Sequence, residues 1–396
     1  MRTSDVIARS DVAVIGGGVI GTSTAWWLEQ AGLSVTVVER RPELGTLTTP
    51  NALGTIRTQY GDPTLIALAQ ESLEFYRNLE TRLGVNHDDI AFSNPGYLYL
   101  TDREDDIGRL RDSLAMYEGL GVKSSRMVDQ TELRERFPFT GSAVAGIFHG
   151  DGCFVDPASV TGAWAGRLRH TNVLTDTDVH ALAPGATGWS VTTSRGEVHA
   201  GAVVIAAGPY AAGLLAGLGV GLPVKITPRY RVFIPDDDPH HQAAPLVINV
   251  RNGAYWRPVP GGVWLSTANV DDRSVPPQET VEVPPDFLGE VIEEIRPVSP
   301  ALAATAEAAD RSALRFAGGF QVYPADDVPI IGAVPGHDGL FVNGGHWAGV
   351  MLSPASGRLC ADLVTGDRSE AENPCGFGRF DRAVTRSSTN KFGGWG

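Results

Sequence analysis

Residues 12–41 read VAVIGGGVIGTSTAWWLEQAGLSVTVVERR, and no other stretch of the chain restricts the fold as tightly. Val12–Ile15 is an apolar run rich in β-branched residues, as a parallel strand buried on both faces should be. G-x-G-x-x-G follows at Gly16, Gly18 and Gly21. Thr22–Ala31 spaces its apolar residues helically, with Gly32 just beyond the helix end, and Ser34–Val38 reads as a second strand that ends on Glu39. Strand, glycines, helix, strand and acid in that order form the βαβ dinucleotide-binding unit. Gly16 permits the tight turn, Gly18 lets backbone approach a pyrophosphate, and Gly21 lets the helix sit close on the sheet. The pyrophosphate lies over unpaired N–H groups at the helix N-terminus. Glu39, 18 residues past Gly21, is placed to accept the ribose hydroxyls of an adenosine and to repel a 2′-phosphate. Among 47 glycines a bare G-x-G-x-x-G would mean little; the ordered set means that a dinucleotide binds.

The rest of the chain narrows the class. Its 396 residues exceed one ordinary core and suit two domains. A net charge of −14 argues against a general nucleic-acid binder or an anionic-membrane binder. The three cysteines, Cys153, Cys360 and Cys375, suggest neither a metal cluster nor a disulfide scaffold, so a reducing cytoplasm is the expected compartment. The first ten residues lack the apolar stretch of a secretion signal, and VAVIGGGVI is too short and glycine-rich to span a bilayer. No P-loop, H-E-x-x-H or C-x-x-C motif occurs, and neither GDGCF at 150–154 nor HH at 240–241 makes a convincing nucleophile or metal site. The tail from about Thr385 is polar and glycine-rich.

Residues 12–41 resemble the cofactor motif of the D-amino-acid oxidase and glycine/sarcosine oxidase superfamily of FAD enzymes. Three later segments are similar to that family in the same order. They are AVVIAAGP at 202–209, FQVYPADDVPIIG at 320–332, and GLFVNGGHWAGVMLSPASGRLCADL at 339–363. The last resembles the family's final strand, flavin-facing turn and long helix; its helical pattern begins near Ser353 after the strand Phe341–Asn343. The resemblance implies an α/β fold with a discontinuous Rossmann-like FAD-binding domain, expected over 1–85, 150–220 and 325–380. A mainly antiparallel-sheet substrate domain is expected over 86–149 and 221–324, with 381–396 as a polar C-terminal tail. AVAGIFHG, VKITPRYRVFI, APLVINV and GVWLST read as antiparallel strands of that second domain. Helical patterns near 64–84 and 286–296 are expected to supply packing surfaces.

The resemblance implies FAD contacts at Gly16, Gly18, Gly21, Glu39, Thr48, Thr49, Val179, Gly208, Gly345, Gly349 and Met351. Asn51 belongs to the same loop. TIRTQYG at 55–61 is similar to a segment whose arginine receives the substrate carboxylate in sarcosine-oxidase members, which puts that role on Arg57. A guanidinium suits it, being a rigid bidentate fork for a planar carboxylate. YWRP at 255–258 is a candidate cavity wall. There Arg257 has three open readings: a cation that assists oxygen activation beside the flavin, a partner for the substrate carboxylate, or a side chain extended to solvent. Tyr255, Tyr60, Tyr323, His346 and Trp347 are further cavity candidates, with His346 equally readable as catalytic or as structural beside its glycine turn.

Departures from the family pattern bear on the substrate. Gln321 stands where glycine-oxidase members carry a carboxylate-clamping arginine, and Ala348 and Met351 stand where sarcosine-oxidase members carry histidine and lysine. Gly319 takes the place of the cysteine that attaches FAD covalently, so noncovalent FAD is expected. The reaction implied is oxidation of a C–N bond in a small amine or amino-acid-like substrate, with hydride transfer to flavin and reoxidation by molecular oxygen. Three alternatives remain: a dehydrogenase using a quinone or protein acceptor, an oxidase of a 2-hydroxy acid, and a noncatalytic flavoprotein subunit.

Overall fold

The computed structural model describes residues 5–185, 187–268 and 273–381; the tail beyond lies outside the described residues. The first strand, Val6–Ile15, lies between Gly196–Ile205 and Val35–Val38, parallel to both. Leu340–Gly344 and Asn172–Leu174 extend the parallel set on either side. Ile330–Ala333 and the pair Val179–Pro184 and Trp189–Thr193 complete an eight-stranded sheet with antiparallel pairings. Val35–Val38 is buried along its whole length, which is why its sequence shows no polar alternation.

Two helices pack tightly on this sheet. Val19–Gln30 starts three residues before the expected Thr22, with Gly18 as a cap that supplies no side-chain hydrogen bond. The final helix spans Gly349–Thr365 rather than beginning near Ser353, and Pro354 lies inside it. Proline has no N–H for the carbonyl four residues earlier. That carbonyl, on Val350, instead accepts the Tyr76 hydroxyl at 2.6 Å. The break is therefore satisfied from outside, by the helix Pro63–Arg77. Ser23 and Trp27 of the first helix donate to the carbonyls of Ser353 and Pro354. A Cβ on Gly357 would lie 2.4 Å from Ser23 Oγ, so glycine is required for this approach.

The chain passes back and forth between this sheet and a second one. The second sheet has the order Arg315–Pro324, Val224–Pro235, Gly262–Thr267, Ala254–Val259, Leu246–Asn249, Tyr97–Thr101, Ala145–His149 and Ser125–Asp129. Its pairings are antiparallel except one. The APLVINV strand, expected to be antiparallel, runs parallel to Tyr97–Thr101 while pairing antiparallel with Ala254–Val259. Phe287–Ile295 and Pro300–Ala308 cover one face through an apolar cluster that includes Trp256, Val291 and Leu302. The other face looks toward the carboxyl ends of the parallel strands. Among the described residues no helix is long and apolar enough to cross a membrane, and no acidic, histidine and cysteine group could hold a metal.

Candidate active site

A cavity of about 600 Å³ runs between the two sheets, opening where the parallel strands end. Such crevices at strand carboxyl ends are where open α/β sheets bind ligands. At one end lies the glycine turn. Gly16 has φ +109°, and a Cβ there would be 2.6 Å from the Ala206 carbonyl oxygen. A Cβ on Gly21 would be 1.9 Å from the Gly16 carbonyl oxygen, so Gly21 sits behind the turn and lets helix and strand close together. Gly18 differs: its Cβ would meet nothing nearer than Thr49 Oγ1 at 3.5 Å, leaving the backbone open to a ligand. The Gly17 N–H donates to Glu39 Oε2 at 2.7 Å and the Arg41 N–H to Oε1 at 2.9 Å. Each oxygen keeps acceptor capacity for a ribose hydroxyl.

Glu39, Thr48, Thr49, Val179, Gly208, Gly345, Gly349 and Met351 all line this cavity with Gly16 and Gly18. Thr48 Oγ1 is buried with no protein partner, a polar atom that a bound ligand would satisfy. Gly345 has φ +68°, and a Cβ there would press on Pro324 Cγ at 2.6 Å. Open glycine backbone at the start of the first helix, the Glu39 acceptors and the unpartnered Thr48 hydroxyl together fit a dinucleotide.

The other end is aromatic and cationic. Arg231, Ser266 and Tyr255 lie side by side across three strands and line the cavity. Arg231 is occupied structurally: it donates to the Ala52 and Pro50 carbonyls at 2.7 and 2.8 Å and lies over the Trp264 ring. Arg229, two residues before it on the same face, also lines the cavity. Tyr323 stacks on Trp347 with centroids 5.9 Å apart and donates to Gln321 Oε1 at 2.5 Å. Gln321 in turn donates to the Trp347 carbonyl at 3.1 Å. Burial pushes the Tyr323 hydroxyl up to about 12, against the opposing pull of Arg229, so it stays a neutral donor. Glu39 and Asp178 are the acidic residues of the lining, and both sit at the dinucleotide end.

Arg57 also lines the cavity, but it is only 7% exposed and holds protein groups. Its guanidinium donates to the Gln59 carbonyl and to the Tyr99 hydroxyl, both at 2.9 Å, and lies 4.4 Å from the Tyr60 ring centroid. Burial pushes Tyr60 up to about 12, with Arg57 pulling the other way. His346 lines the cavity too, with Nε2 2.8 Å from Asn343 Oδ1 and a buried, unpartnered Nδ1. Burial pulls His346 down to about 3, so its imidazole is neutral. Arg257 is the correction. It is 8% exposed, lies under Phe154 with its guanidinium 4.9 Å from the ring centroid, and is not among the lining residues. Its partner across the ladder is Trp264, two residue pairs along the same face from the row of Arg231, Ser266 and Tyr255 that borders the cavity. It neither borders the reaction space nor extends to solvent. Arg229, which the sequence reading passed over, is the cation that the sheet register delivers instead. The alternation of VKITPRYRVFI signals it, because Thr227, Arg229 and Arg231 share one face.

Comparison with known proteins decides the family. Residues 11–363 match the sequence model described as DAO, FAD dependent oxidoreductase. The chain belongs to this family. It is therefore an FAD-dependent oxidoreductase of the D-amino-acid oxidase type, and the dinucleotide its cradle takes is FAD. The DAO chain is 29% identical over 377 residues to the glycine oxidase of Pseudomonas aeruginosa, covering 90% of this chain and 94% of that enzyme. It is 27% identical over 363 residues to 4-methylaminobutanoate oxidase (formaldehyde-forming) of Paenarthrobacter nicotinovorans, covering 89% of this chain but only 43% of that longer enzyme. In fold it is similar to the crystal structure of glycine oxidase from Geobacillus kaustophilus, with a TM-score of 0.79 over 92% of this chain and 96% of that one at 24% identity.

Proposed function

We propose that this enzyme oxidises the C–N bond of a carboxylate-bearing amine or amino-acid-like substrate, holding FAD noncovalently and using molecular oxygen to reoxidise it. One observation carries the reading: a single cavity joins the FAD cradle to an end walled by arginines and aromatic hydroxyls, while the acidic lining residues stay at the cradle. The two relatives named above, both oxidases of amine-bearing acids, support the same bond. FAD bound in the cradle would supply a two-electron acceptor for the substrate carbon beside nitrogen.

The chain's own residues would bind and orient. A carboxylate would be drawn to the positive charge of Arg57, Arg229 and Arg231, which line this space while also holding protein groups. The same positive charge disfavours the ammonium form of the amine and so favours the neutral form, whose lone pair supports oxidation. Tyr60, Tyr323 and Trp347 exclude water from the reacting carbon and hold its orientation, the main contribution that positioning makes to rate. Neutral His346 keeps the glycine turn in place through Asn343. Noncovalent attachment is supported by Gly319, which lines the cavity, and by Cys153, Cys360 and Cys375, which are fully buried away from it.

An anaerobic screen of flavin reduction tests the reading. Amines, N-methyl amino acids and L- and D-amino acids should include compounds that bleach the flavin. Bleaching by 2-hydroxy acids alone would move the assignment to C–O oxidation, and no bleaching by any class would favour a noncatalytic subunit. Faster reoxidation by a quinone analogue than by oxygen would favour a dehydrogenase.

A further inference from the structure

The aromatic wall of the substrate end is held from the far end of the chain. Residues 325–328 turn from the strand Arg315–Pro324 into Ile330–Ala333, and Asp327 within the turn has a left-handed φ of +62°. Aspartate tolerates that region better than most residues, but it still needs contacts to hold it there. One peptide unit shows how they act. Its carbonyl, on Asp327, accepts from Trp347 Nε1 at 2.8 Å, and its N–H, on Val328, donates to Asp326 Oδ1 at 3.2 Å. Trp347 stacks on Tyr323 and meets Tyr60 edge-on with centroids 5.7 Å apart, and all three rings line the cavity. Asp326 is fixed in turn by a residue 53 positions away. Arg379, in the short segment Phe377–Asp381, donates from Nε to Asp326 Oδ2 at 2.8 Å and from Nη2 to Oδ1 at 3.1 Å. Nη2 also donates to the Val328 carbonyl at 2.6 Å, while Nη1 holds the carbonyls of Cys375 and Gly376. Just before it the chain is pinned to the strand Ile330–Ala333: the Cys375 carbonyl accepts the Ile331 N–H at 3.0 Å, and the Asn373 side chain donates to the Ile331 carbonyl at 2.7 Å. Neither Arg379 nor Asp326 lines the cavity.

We propose that Arg379 is a positioning residue for the substrate end, acting through Asp326 and the turn on Trp347. Arg379 fixes the Asp326 carboxylate, Asp326 holds the Val328 N–H, and the peptide so oriented offers the Asp327 carbonyl to the Trp347 indole. The wall of the site thus depends on a C-terminal segment that never touches the cavity. A bidentate fork suits this task better than a point charge, because it sets the plane of the carboxylate as well as its distance. Asp326 is only 3% exposed. Without the guanidinium it becomes a buried carboxylate lacking its cation, which turns away and releases the Val328 N–H. The consequence for catalysis rests on Trp347 orienting the substrate, as proposed above.

The Trp347 indole N–H can be watched without any substrate. In FAD-loaded enzyme labelled with ¹⁵N-tryptophan, its cross-peak is the one missing from Trp347→Phe. Arg379→Gln should shift that peak and speed its exchange with solvent by about two- to tenfold, the value of one buried hydrogen bond. The Trp189 and Trp256 indoles, which donate to the Asp338 carbonyl and the Ser299 hydroxyl away from this turn, should not change. Arg379→Lys keeps a charge beside Asp326 without the fork and should recover part of the protection. With a substrate in hand, Arg379→Gln should impair turnover in the parent and add little in a Trp347→Phe background, since contacts in one series are not additive. An unmoved Trp347 peak in Arg379→Gln, or equal speeding at all three indoles, would overturn the proposal. If no Arg379 variant folds, native-state exchange of the unmodified enzyme in low urea decides. The Val328 N–H and the Trp347 indole should open as one unit with the Cys375 N–H, and separate opening would refute the link. A Trp347 peak that depends on Arg379, in an enzyme whose flavin no amine reduces, sinks the proposed reaction and leaves this role standing; amine oxidation with an Arg379-independent peak sinks only the role.

Discussion

Replacing Glu39 by glutamine removes one charge and one acceptor without changing shape, and the structure says what each was doing. The two carboxylate oxygens accept from different backbone groups, Gly17 N–H on Oε2 and Arg41 N–H on Oε1. A glutamine has a single carbonyl oxygen, so one of these N–H groups must face an amide NH₂. Rotating the side chain only exchanges which one loses. A hydrogen bond to a charged acceptor is worth about 1.5–3 kcal/mol, so apoprotein stability should fall by roughly that amount. The same exchange leaves one ribose hydroxyl without its anionic acceptor. A further loss of about 1.5–3 kcal/mol in FAD binding is a rise in Kd of roughly tenfold to more than a hundredfold. Urea unfolding of the apoprotein measures the first term, and recovery of flavin fluorescence quenching on adding FAD to apoprotein measures the second. Unchanged apoprotein stability together with a Kd within about twofold of the parent would refute the role given to this carboxylate.

Three further outcomes follow from the same geometry. Gly21→Ala places a Cβ 1.9 Å from the Gly16 carbonyl oxygen, so the purified variant should carry little FAD; a normal flavin-to-protein absorbance ratio would contradict the close packing. Acid precipitation should release yellow FAD into the supernatant, and pigment that stays with the pellet would show a covalent link. Acid should destabilise the fold through two histidines. Burial lowers His149 to about 4 and His346 to about 3 from an ordinary 6.5. Below about 6.5 the unfolded chain gains protons that the folded chain refuses, so stability is complete above that pH and is lost as pH falls toward the folded values. Two such groups give a slope of roughly 2–3 kcal/mol per pH unit, and equal urea midpoints at about pH 7.5 and pH 5 would contradict it.

The FAD half of the site was legible because its requirements are local. Gly16, Gly18, Gly21 and Glu39 sit in one short unit whose spacing is set by a turn, a helix and a strand, so linear order reports geometry. The substrate half depends on pairing between strands far apart in the sequence. Arg257 and Arg231 both lie on strands of the second sheet; only its register puts Arg231 in the row of Tyr255 at the cavity and Arg257 two residue pairs along, against Phe154. Arg229 acquires its place from Gly319, some ninety positions away, through a ladder of ten pairs. The start of the last helix was hidden for a different reason. Pro354 looks like a helix opening from sequence alone; the hydroxyls of Tyr76, supplied by another helix, and of Ser353 explain how it lies inside one.

The most direct test of the account sets a C–N bond against a C–O bond on the same skeleton. The anaerobic enzyme is mixed in a stopped-flow instrument with the best amino-acid or N-methyl amino-acid substrate, then with the 2-hydroxy acid that differs only in replacing nitrogen by oxygen. The account predicts full flavin bleaching by the nitrogen compound, formation of the corresponding 2-oxo acid or aldehyde after imine hydrolysis, and no comparable reduction by the hydroxy acid. Faster bleaching by the hydroxy acid, or flavin that stays oxidised with both, would contradict it.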